Sequence, residues 1–350
     1  MRLRYARFIP WDGIGLRQYG KTRSGWINIA MNNRPLGRTG IQVSEIVLGG
    51  WPIVDTANPA VNTADSLATV RACFDLGINM LDTAYMYGID GASERLIARA
   101  IEGRREEMVI ATKCGVHGVP DVSETFDARP ATLRRECEES LRRLGTDRVE
   151  LLYLHAPDKN TPIAESAGAL KRLMDEGKTR AVGASNLNFS QLKEFASACP
   201  LTAFQPPYNM LMRQIEAEVL PWCRQHGVSV FAYWPLMKGL FSGTFRRDQV
   251  LAPDDCRNNY AMFVGEERRK NHDLVDRLQK IAESSGHTVI ELVLNWTVNR
   301  PGITAVLCGA RRPDQIRGCA AASGWCLTAE QLAQIDQALS DRGEADVRVP

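Results

Sequence analysis

Eight short apolar runs alternate with helical patterns from Arg34 onward, and this alternation limits the possible folds more than any other feature of the chain. Most of the runs are continuously apolar, which is typical of parallel strands that are covered by helices. Between the runs, apolar residues recur at helical spacing, as at Leu133, Cys137, Leu141 and Leu144. The runs are Ile46–Trp51, Ile78–Ala84, Met108–Cys114, Val149–His155, Arg180–Ser185, Thr202–Gln205, Val228–Trp234 and Ile303–Gly309.

Eight strand–helix pairs in about 300 residues predict one α/β domain over residues 34–345, folded as a closed (β/α)₈ TIM barrel. An open doubly wound sheet is the alternative, but no GxGxxG fingerprint follows the first strand. An N-terminal hairpin at Asn32–Gly40 is expected to close the barrel bottom. The stretch Leu236–Gly265, after strand seven, is long enough to be a functional loop. Its large apolar residues either line a pocket or pack on one another; they are Phe241, Phe245, Tyr260, Met262 and Phe263.

Composition and charge argue against several classes of function. The 43 basic and 41 acidic residues leave a net charge of +2, so nothing favours nucleic-acid binding. No apolar run approaches the ~20 residues of a membrane helix. Nine cysteines without a CxxC pair indicate reduced thiols in a cytoplasmic protein. No histidine has the spacing of a metal ligand. A small-molecule partner is expected, with the chain acting as a monomer or homo-oligomer.

Residues 1–33 are basic and lack a steady hydrophobic period. They predict an N-terminal extension outside the fold, either disordered or upstream of a true start at Met31. An arginine-rich, acid-poor transit peptide is the alternative, although the segment contains no convincing amphipathic helix.

Polar residues follow consecutive strands at the end where the chemistry of such barrels is located. Lys113 emerges from the apolar third strand and needs an anion, and Asp82 on the second strand is the natural partner. A salt-bridged lysine beside a phenol favours the ionised phenol, so the pKa of Tyr87 is predicted to be lowered. Tyr87 then suits the role of general acid toward a carbonyl oxygen, with His155 as a second hydrogen-bonding group. Singly, the ion pair and the histidine are more often structural; together they favour chemistry.

The loop around Tyr87 contains Gly88 and Gly91, which are expected to give it the turn that presents the phenol. Ser93 is expected to cap the next helix. Neither Ser93 nor Glu94 is predicted to do more than start that helix.

The ordered motifs of the chain resemble those of aldo-keto reductases from Arg34 to about Leu339. The resemblance implies reduction of an aldehyde or ketone, reversible with the alcohol, by NADP(H) bound in extended form across the barrel mouth. It matches Asp82, Tyr87, Lys113 and His155 to the family's catalytic tetrad. The matching stretches are RPLGRTGIQVSEIVLGGW, NMLDTAYMYG with GASE, VIATKCG, LLYLHAPD, VGASN, FQPPYN, AYWPL with KGL, and CGARRPDQI.

The same resemblance implies a set of cofactor contacts. Ser185, Asn186 and Gln205 match the residues that hold the nicotinamide carboxamide, a task that suits hydroxyl and amide groups because they donate and accept. Tyr208 matches the aromatic ring on which the nicotinamide stacks, although a packing tyrosine is equally compatible with the residue type. The residues matched to the pyrophosphate loop and to the adenosine phosphate are Trp234, Pro235, Leu236, Gly239, Leu240, Gly309, Arg311 and Gln315.

Arg311 would meet a 2′-phosphate, which favours NADP(H) over NAD(H), unless Arg311 and Arg312 are a solvated pair at a helix start. The chain departs from the family pattern where Trp234 replaces a common serine and Cys308 replaces a proline. Gly318–Cys319 replaces a common Glu-Asn pair, so the departures concentrate at the adenosine end.

Two alternative functions use the same residues. A Schiff-base barrel enzyme would use Lys113 as the nucleophile, but Asp82 stabilises the charged amine that this chemistry must avoid. A non-catalytic NADP(H)-binding redox sensor, like the potassium-channel β subunits of this fold, could use the basic N-terminal segment as an interaction tail. The substrate is not specified by these motifs; Trp51, at the end of strand one, is the expected wall of the substrate pocket.

Overall fold

The computed structural model describes residues 30–54, 61–118, 124–253 and 255–348. The predicted N-terminal extension therefore lies outside the described residues up to position 29. Asn32 and Asn33, which were assigned to the extension, belong to the fold. Asn33–Pro35 pairs antiparallel with Gln42–Ser44, so the predicted hairpin is present and extends beyond Gly40.

Within the described ranges, eight parallel strands close into a barrel, as predicted. They are β1 (Ile46–Gly49), β2 (Met80–Asp82), β3 (Val109–Cys114), β4 (Leu151–Leu154), β5 (Val182–Ser185), β6 (Leu201–Gln205), β7 (Ser229–Ala232) and β8 (Ala305–Gly309). Each strand pairs with its neighbour in the chain, and β8 pairs with β1 to close the barrel. Seven of the eight apolar runs contain one of these strands, and the sixth run, Thr202–Gln205, overlaps β6, which begins one residue earlier at Leu201.

The described residues also contain ten α-helices. They are α1 (Thr63–Asp75), α2 (Ala92–Ala100), α3 (Pro130–Leu144), α4 (Ile163–Asp175), α5 (Phe189–Ala198), α6 (Val219–His226), α7 (Gly265–Ser284), α8 (Val289–Val298), α9 (Pro313–Ala320) and α10 (Ala329–Arg342). Both α7 and α8 lie between β7 and β8, and α10 packs on α7. None of the described helices has the length and apolar character that crossing a membrane requires.

The strands are buried on both faces, which explains their continuous apolar sequence. On β1, Val47 belongs to the cluster inside the barrel, whereas Ile46 and Leu48 belong to the cluster between barrel and helices. The interior is tightly filled near Tyr153, which is fully buried. A Cβ atom on Gly183 would lie only 2.4 Å from the Tyr153 ring, so the absence of a side chain there makes room for the ring.

The long loop after β7 folds largely on itself. Short 3₁₀ turns at Met237–Ser242, Cys256–Asn259 and Ala261–Phe263 organise it. Of its five large apolar residues only Tyr260 lines the cavity described below, while the other four are buried within the fold. Phe245 and Phe263, for example, contact each other with ring centroids 5.5 Å apart.

Candidate active site

A cavity of about 1170 Å³ opens at the carboxyl ends of the barrel strands. Most of the predicted site residues line its wall. Of the others, Lys113 and Leu240 are buried behind the wall, and Tyr208 packs elsewhere. The predicted residues on the wall are Trp51, Asp82, Tyr87, His155, Ser185, Asn186, Gln205, Trp234, Pro235, Leu236, Gly239, Gly309, Arg311 and Gln315.

The predicted ion pair between Lys113 and Asp82 is present at the floor of this cavity. Lys113 Nζ donates to Asp82 Oδ1 and, at 2.8 Å, to the backbone oxygen of Thr83. Gln205 Nε2 donates to the second oxygen of Asp82 at 2.7 Å. Burial acts to lower the pKa of Lys113, but the charges of Asp82 and Tyr87 and the hydrogen bonds to them together outweigh it and raise the pKa. Lys113 is therefore held as an ammonium group.

Tyr87 lies beside this pair at the cavity surface. Lys113 Nζ is 5.0 Å from the centroid of the phenol ring. The ring meets Trp51 edge-on at 5.6 Å and His155 edge-on at 5.9 Å, measured between centroids. Burial raises the pKa of Tyr87 above its ordinary value, and the charge of Lys113 opposes this rise. The predicted net lowering of the pKa is wrong, because desolvation of the phenolate outweighs the lysine, although the lysine acts with the predicted sign.

His155 completes the group as a neutral imidazole. Burial lowers its pKa well below the ordinary value, and the positive charge of Lys113 lowers it further. Its Nδ1 atom is buried and has no hydrogen-bond partner among the described residues. Because His155 lines the cavity, its ring can meet a bound molecule without carrying a charge.

The loop that carries Tyr87 has the turns that its glycines were expected to provide. Gly88 has φ = 76° and Gly91 has φ = 68°, conformations that favour glycine. The expectation for the two residues that follow was wrong. Ser93 is not the cap of α2, since Gly91 takes that position, and its hydroxyl donates to the backbone oxygen of Gly50 at 3.0 Å. Glu94 is fully buried and hydrogen-bonded, so it does more than start a helix.

Hydrogen bonds within the protein hold three polar residues in place: Ser185 at the end of β5, Asn186 directly after it, and Gln205 at the end of β6. Ser185 Oγ donates to the backbone oxygen of Gln205 at 2.8 Å. Asn186 Nδ2 donates to the backbone oxygen of His155 at 2.9 Å, while its Oδ1 accepts from the Tyr233 hydroxyl at 2.8 Å. These bonds leave Ser185 Oγ able to accept and the Asn186 amide with a second N–H to donate.

Tyr208, the tyrosine predicted to stack on the nicotinamide, does not line the cavity. Tyr208 is fully buried, lies parallel to Trp296 at 6.2 Å and donates its hydroxyl hydrogen to Glu216 at 2.5 Å. Because Tyr208 is fully buried and does not line the cavity, its position corresponds to the packing alternative. Tyr233 lines the cavity instead. Tyr233 stands directly before Trp234 in the AYWPL motif and was not among the predicted cofactor residues.

Similarity to known proteins agrees with this arrangement. The sequence profile of the aldo/keto reductase family matches residues 45–340. The chain is 35% identical over 315 residues to aldo-keto reductase YhdN of Bacillus subtilis (strain 168), covering 89% of this chain and 94% of that protein. The chain belongs to the aldo/keto reductase family.

Two further relatives of this aldo/keto reductase extend the comparison. The NADH-specific methylglyoxal reductase of Escherichia coli (strain K12) is 34% identical over 307 residues, covering 82% of this chain and 92% of that protein. The solved structure of the glycerol dehydrogenase AKR11B4 from Gluconobacter oxydans superposes with a TM-score of 0.83 at 33% identity, covering 92% of this chain and 99% of that one. Membership of this family makes the chain an oxidoreductase of a kind that uses nicotinamide cofactors.

The middle of the cavity differs from the common pattern of the family because an aromatic wall replaces a serine. Trp234 adopts φ = 58° and contacts Tyr233 at 5.1 Å and Tyr260 at 5.8 Å between ring centroids. Lys238 Nζ lies 4.8 Å from the Trp234 ring and 4.9 Å from the Tyr260 ring. Lys238 and Arg257 line the cavity but were not predicted as site residues, whereas Tyr260 was one of the loop residues expected either to line a pocket or to pack. Lys238 lies in the KGL stretch that resembles the family, and Arg257 lies in a part of the long loop that no motif covers.

The far end of the cavity lies at the start of α9. Arg311 and Gln315 both line it. Gln315 also has a structural task, because its Oε1 accepts from the backbone N–H of Arg311 at 2.8 Å. Arg312 forms an ion pair at the helix start, where its Nε lies 3.2 Å from Asp314 Oδ1. The cavity of this aldo/keto reductase is therefore lined by hydrogen-bonding side chains such as Ser185 and Asn186, by the aromatic rings of Tyr233 and Trp234, and by the basic Arg311. This combination of groups fits an elongated anionic dinucleotide.

Proposed function

We propose that this chain is an NADPH-dependent reductase of aldehydes or ketones, reversible with the corresponding alcohol. The observation that carries the proposal is the convergence of Tyr87 and His155 at a cavity floor whose Lys113–Asp82 pair lies directly behind the phenol. A phenol supported by a fixed ammonium group suits proton donation to a carbonyl oxygen.

In this proposal the bound cofactor supplies the hydride, and the side chains of the protein manage the proton. Tyr87 keeps its proton at neutral pH, because burial raises its pKa, and donates it to the carbonyl oxygen. The charge of Lys113 stabilises the phenolate that remains. Asp82 and the backbone oxygen of Thr83 hold Lys113 in place. His155, as a neutral ring, hydrogen-bonds the same carbonyl oxygen and orients it.

Tyr233 is proposed as the ring that supports the nicotinamide, in place of Tyr208, because Tyr233 borders the cavity and Tyr208 does not. Ser185 and Asn186 have hydrogen-bonding capacity left for the carboxamide. Arg311 supports NADPH, since a guanidinium group suits a 2′-phosphate. One relative is named an NADH-specific reductase, so the family alone does not decide between the two cofactors.

The carbonyl substrate is proposed to bind against Trp51, whose ring contacts Tyr87 and lines the cavity. The Schiff-base alternative has no support in the geometry, because Lys113 is buried behind the wall and its ammonium form is stabilised.

The test is NADPH oxidation, followed by absorbance, against a panel of aromatic, aliphatic and sugar aldehydes. Tyr87→Phe is expected to lose at least about 100-fold in kcat, the usual contribution of a general acid, with the Kd for NADPH nearly unchanged. A variant that turns over normally but binds NADPH weakly would contradict the assignment of Tyr87. Tight NADPH binding by the wild-type chain without turnover of any carbonyl would instead indicate the redox-sensor alternative.

A further inference from the structure

One side chain of α3, outside the cavity, fastens the loop that carries Tyr87. Arg143 is 13% exposed and is not among the described residues that line the cavity. Its Nη1 donates to the backbone oxygen of Tyr85 at 3.1 Å and to Glu94 Oε2 at 3.2 Å. Tyr85 lies two residues before Tyr87, and Glu94 lies in the first turn of α2. Arg143 therefore joins the two ends of the loop.

The surroundings of Arg143 leave its guanidinium group little freedom. It lies over the Tyr85 ring, with Cζ 4.3 Å from the ring centroid. The Tyr85 hydroxyl donates to Glu139 at 2.6 Å, which holds the ring in place. Gly91 passes so close that a Cβ atom there would lie 2.5 Å from Arg143 Nη1. Glycine at position 91 therefore permits the positive φ and also leaves the space that the Arg143 guanidinium group occupies.

The same cluster of contacts ties the loop to β3. Glu94 is fully buried, and Thr112 Oγ1 donates to its Oε1 at 2.7 Å. Thr112 is the residue before Lys113, and the backbone N–H of Tyr85 donates to the backbone oxygen of Lys113 at 3.0 Å. These hydrogen bonds fix the Tyr87 loop relative to Lys113, although the two lie on different segments of the chain.

We propose that Arg143 is a positioning residue that holds the Tyr87 hydroxyl at the distance that proton transfer to the substrate needs. The inference rests on the proposed role of Tyr87 as proton donor. Proton transfer requires a separation of about 2.6–3.2 Å between the heavy atoms. A displacement of about 1 Å caused by a change remote from the chemistry can lower the rate on the order of 100-fold. Loss of Arg143 should therefore lower kcat without weakening NADPH binding.

The experiment separates positioning from stability by removing a second charge. Arg143→Met leaves Glu94 as a buried carboxylate without its cation, so it should lower both Tm and kcat. Adding Glu94→Gln removes that charge. The double variant is expected to regain most of the Tm while its kcat stays about 10- to 100-fold below wild type. Its Kd for NADPH, measured by quenching of protein fluorescence, should stay within about twofold of wild type, because neither residue borders the cavity.

Two further variants control for charge and for helix surface. Arg143→Lys keeps the positive charge but lacks the planar fork that reaches two acceptors, so it should restore only part of kcat. Arg142→Met changes the neighbouring residue, whose side chain is 74% exposed, and should retain the wild-type kcat.

A double variant with wild-type kcat would overturn the proposal. Its crystal structure, compared with that of the wild type, gives a readout that does not depend on turnover. A displaced Tyr87 hydroxyl supports positioning by Arg143, whereas an unmoved Tyr87 refutes it. Full activity of Tyr87→Phe would instead refute the proposed function, and the crystallographic comparison would still decide what Arg143 does.

Discussion

Removal of the Lys113 ammonium group should destabilise the fold far more than removal of the whole ion pair. The side chains of Lys113 and Asp82 are 1% and 2% exposed, so the carboxylate left by Lys113→Met cannot be solvated by water. Gln205 Nε2 still donates to it, but a neutral amide does not replace a cation. Breaking a buried pair on one side typically costs about 3–5 kcal/mol, and we expect a loss of that size.

The double variant Asp82→Asn/Lys113→Met removes both charges and should lie within about 1–2 kcal/mol of wild type, because a fully discharged pair leaves no buried ion. The free energies of unfolding can be compared by chemical denaturation, followed by tryptophan fluorescence. The single variant Asp82→Asn serves as the control for the loss of the carboxylate alone.

The pH dependence gives an independent check on the cause. Burial already raises the pKa of Asp82, and Lys113→Met removes the lysine that opposes the rise. In this variant the folded protein binds a proton at a pH where the unfolded chain, with a pKa of about 3.9, does not. Between the raised pKa and the unfolded pKa, each unit by which the pH is lowered therefore stabilises Lys113→Met relative to the double variant by about 1.4 kcal/mol. Equal stabilities of the two variants at neutral pH, or a gap that does not close in acid, would refute the reasoning.

Three further outcomes follow from the packing and protonation described above. Gly183→Ala places a Cβ atom against the Tyr153 ring and should cost about 1–3 kcal/mol, measured as a lower Tm, since overpacking forces the ring to move. Tyr208→Phe should lower the free energy of unfolding by about 1 kcal/mol and leave the Kd for NADPH unchanged. Tyr233→Leu should raise that Kd up to about tenfold, and a fluorescence titration with NADPH measures the Kd of both variants. The rate of carbonyl reduction should stay flat through neutral pH and fall only above the ordinary pKa of tyrosine, because burial raises the pKa of Tyr87; a fall near pH 7 would contradict this.

The sequence motifs were not enough to decide which of two tyrosine rings borders the cavity. Tyr208 and Tyr233 both follow strands, and the backbone N–H of Tyr208 even donates to the backbone oxygen of Tyr233 at 3.1 Å. Only one of the two rings faces open space, because Trp296 of α8 covers the other. The direction of a side chain at a strand end depends on the helices that pack there, and local sequence does not encode that packing.

The sequence by itself was enough to predict the barrel and the Lys113–Asp82 pair. Eight near-continuous apolar runs are typical of strands that are buried on both faces in a layered α/β fold, and a lysine in such a run favours a carboxylate on a neighbouring strand. Tertiary structure alone decided the raised pKa of Tyr87 and the reach of Arg143 from α3 to the Tyr87 loop. Both depend on how much water is excluded and which segments meet across the molecule, since desolvation and long-range contacts arise only when the chain is packed.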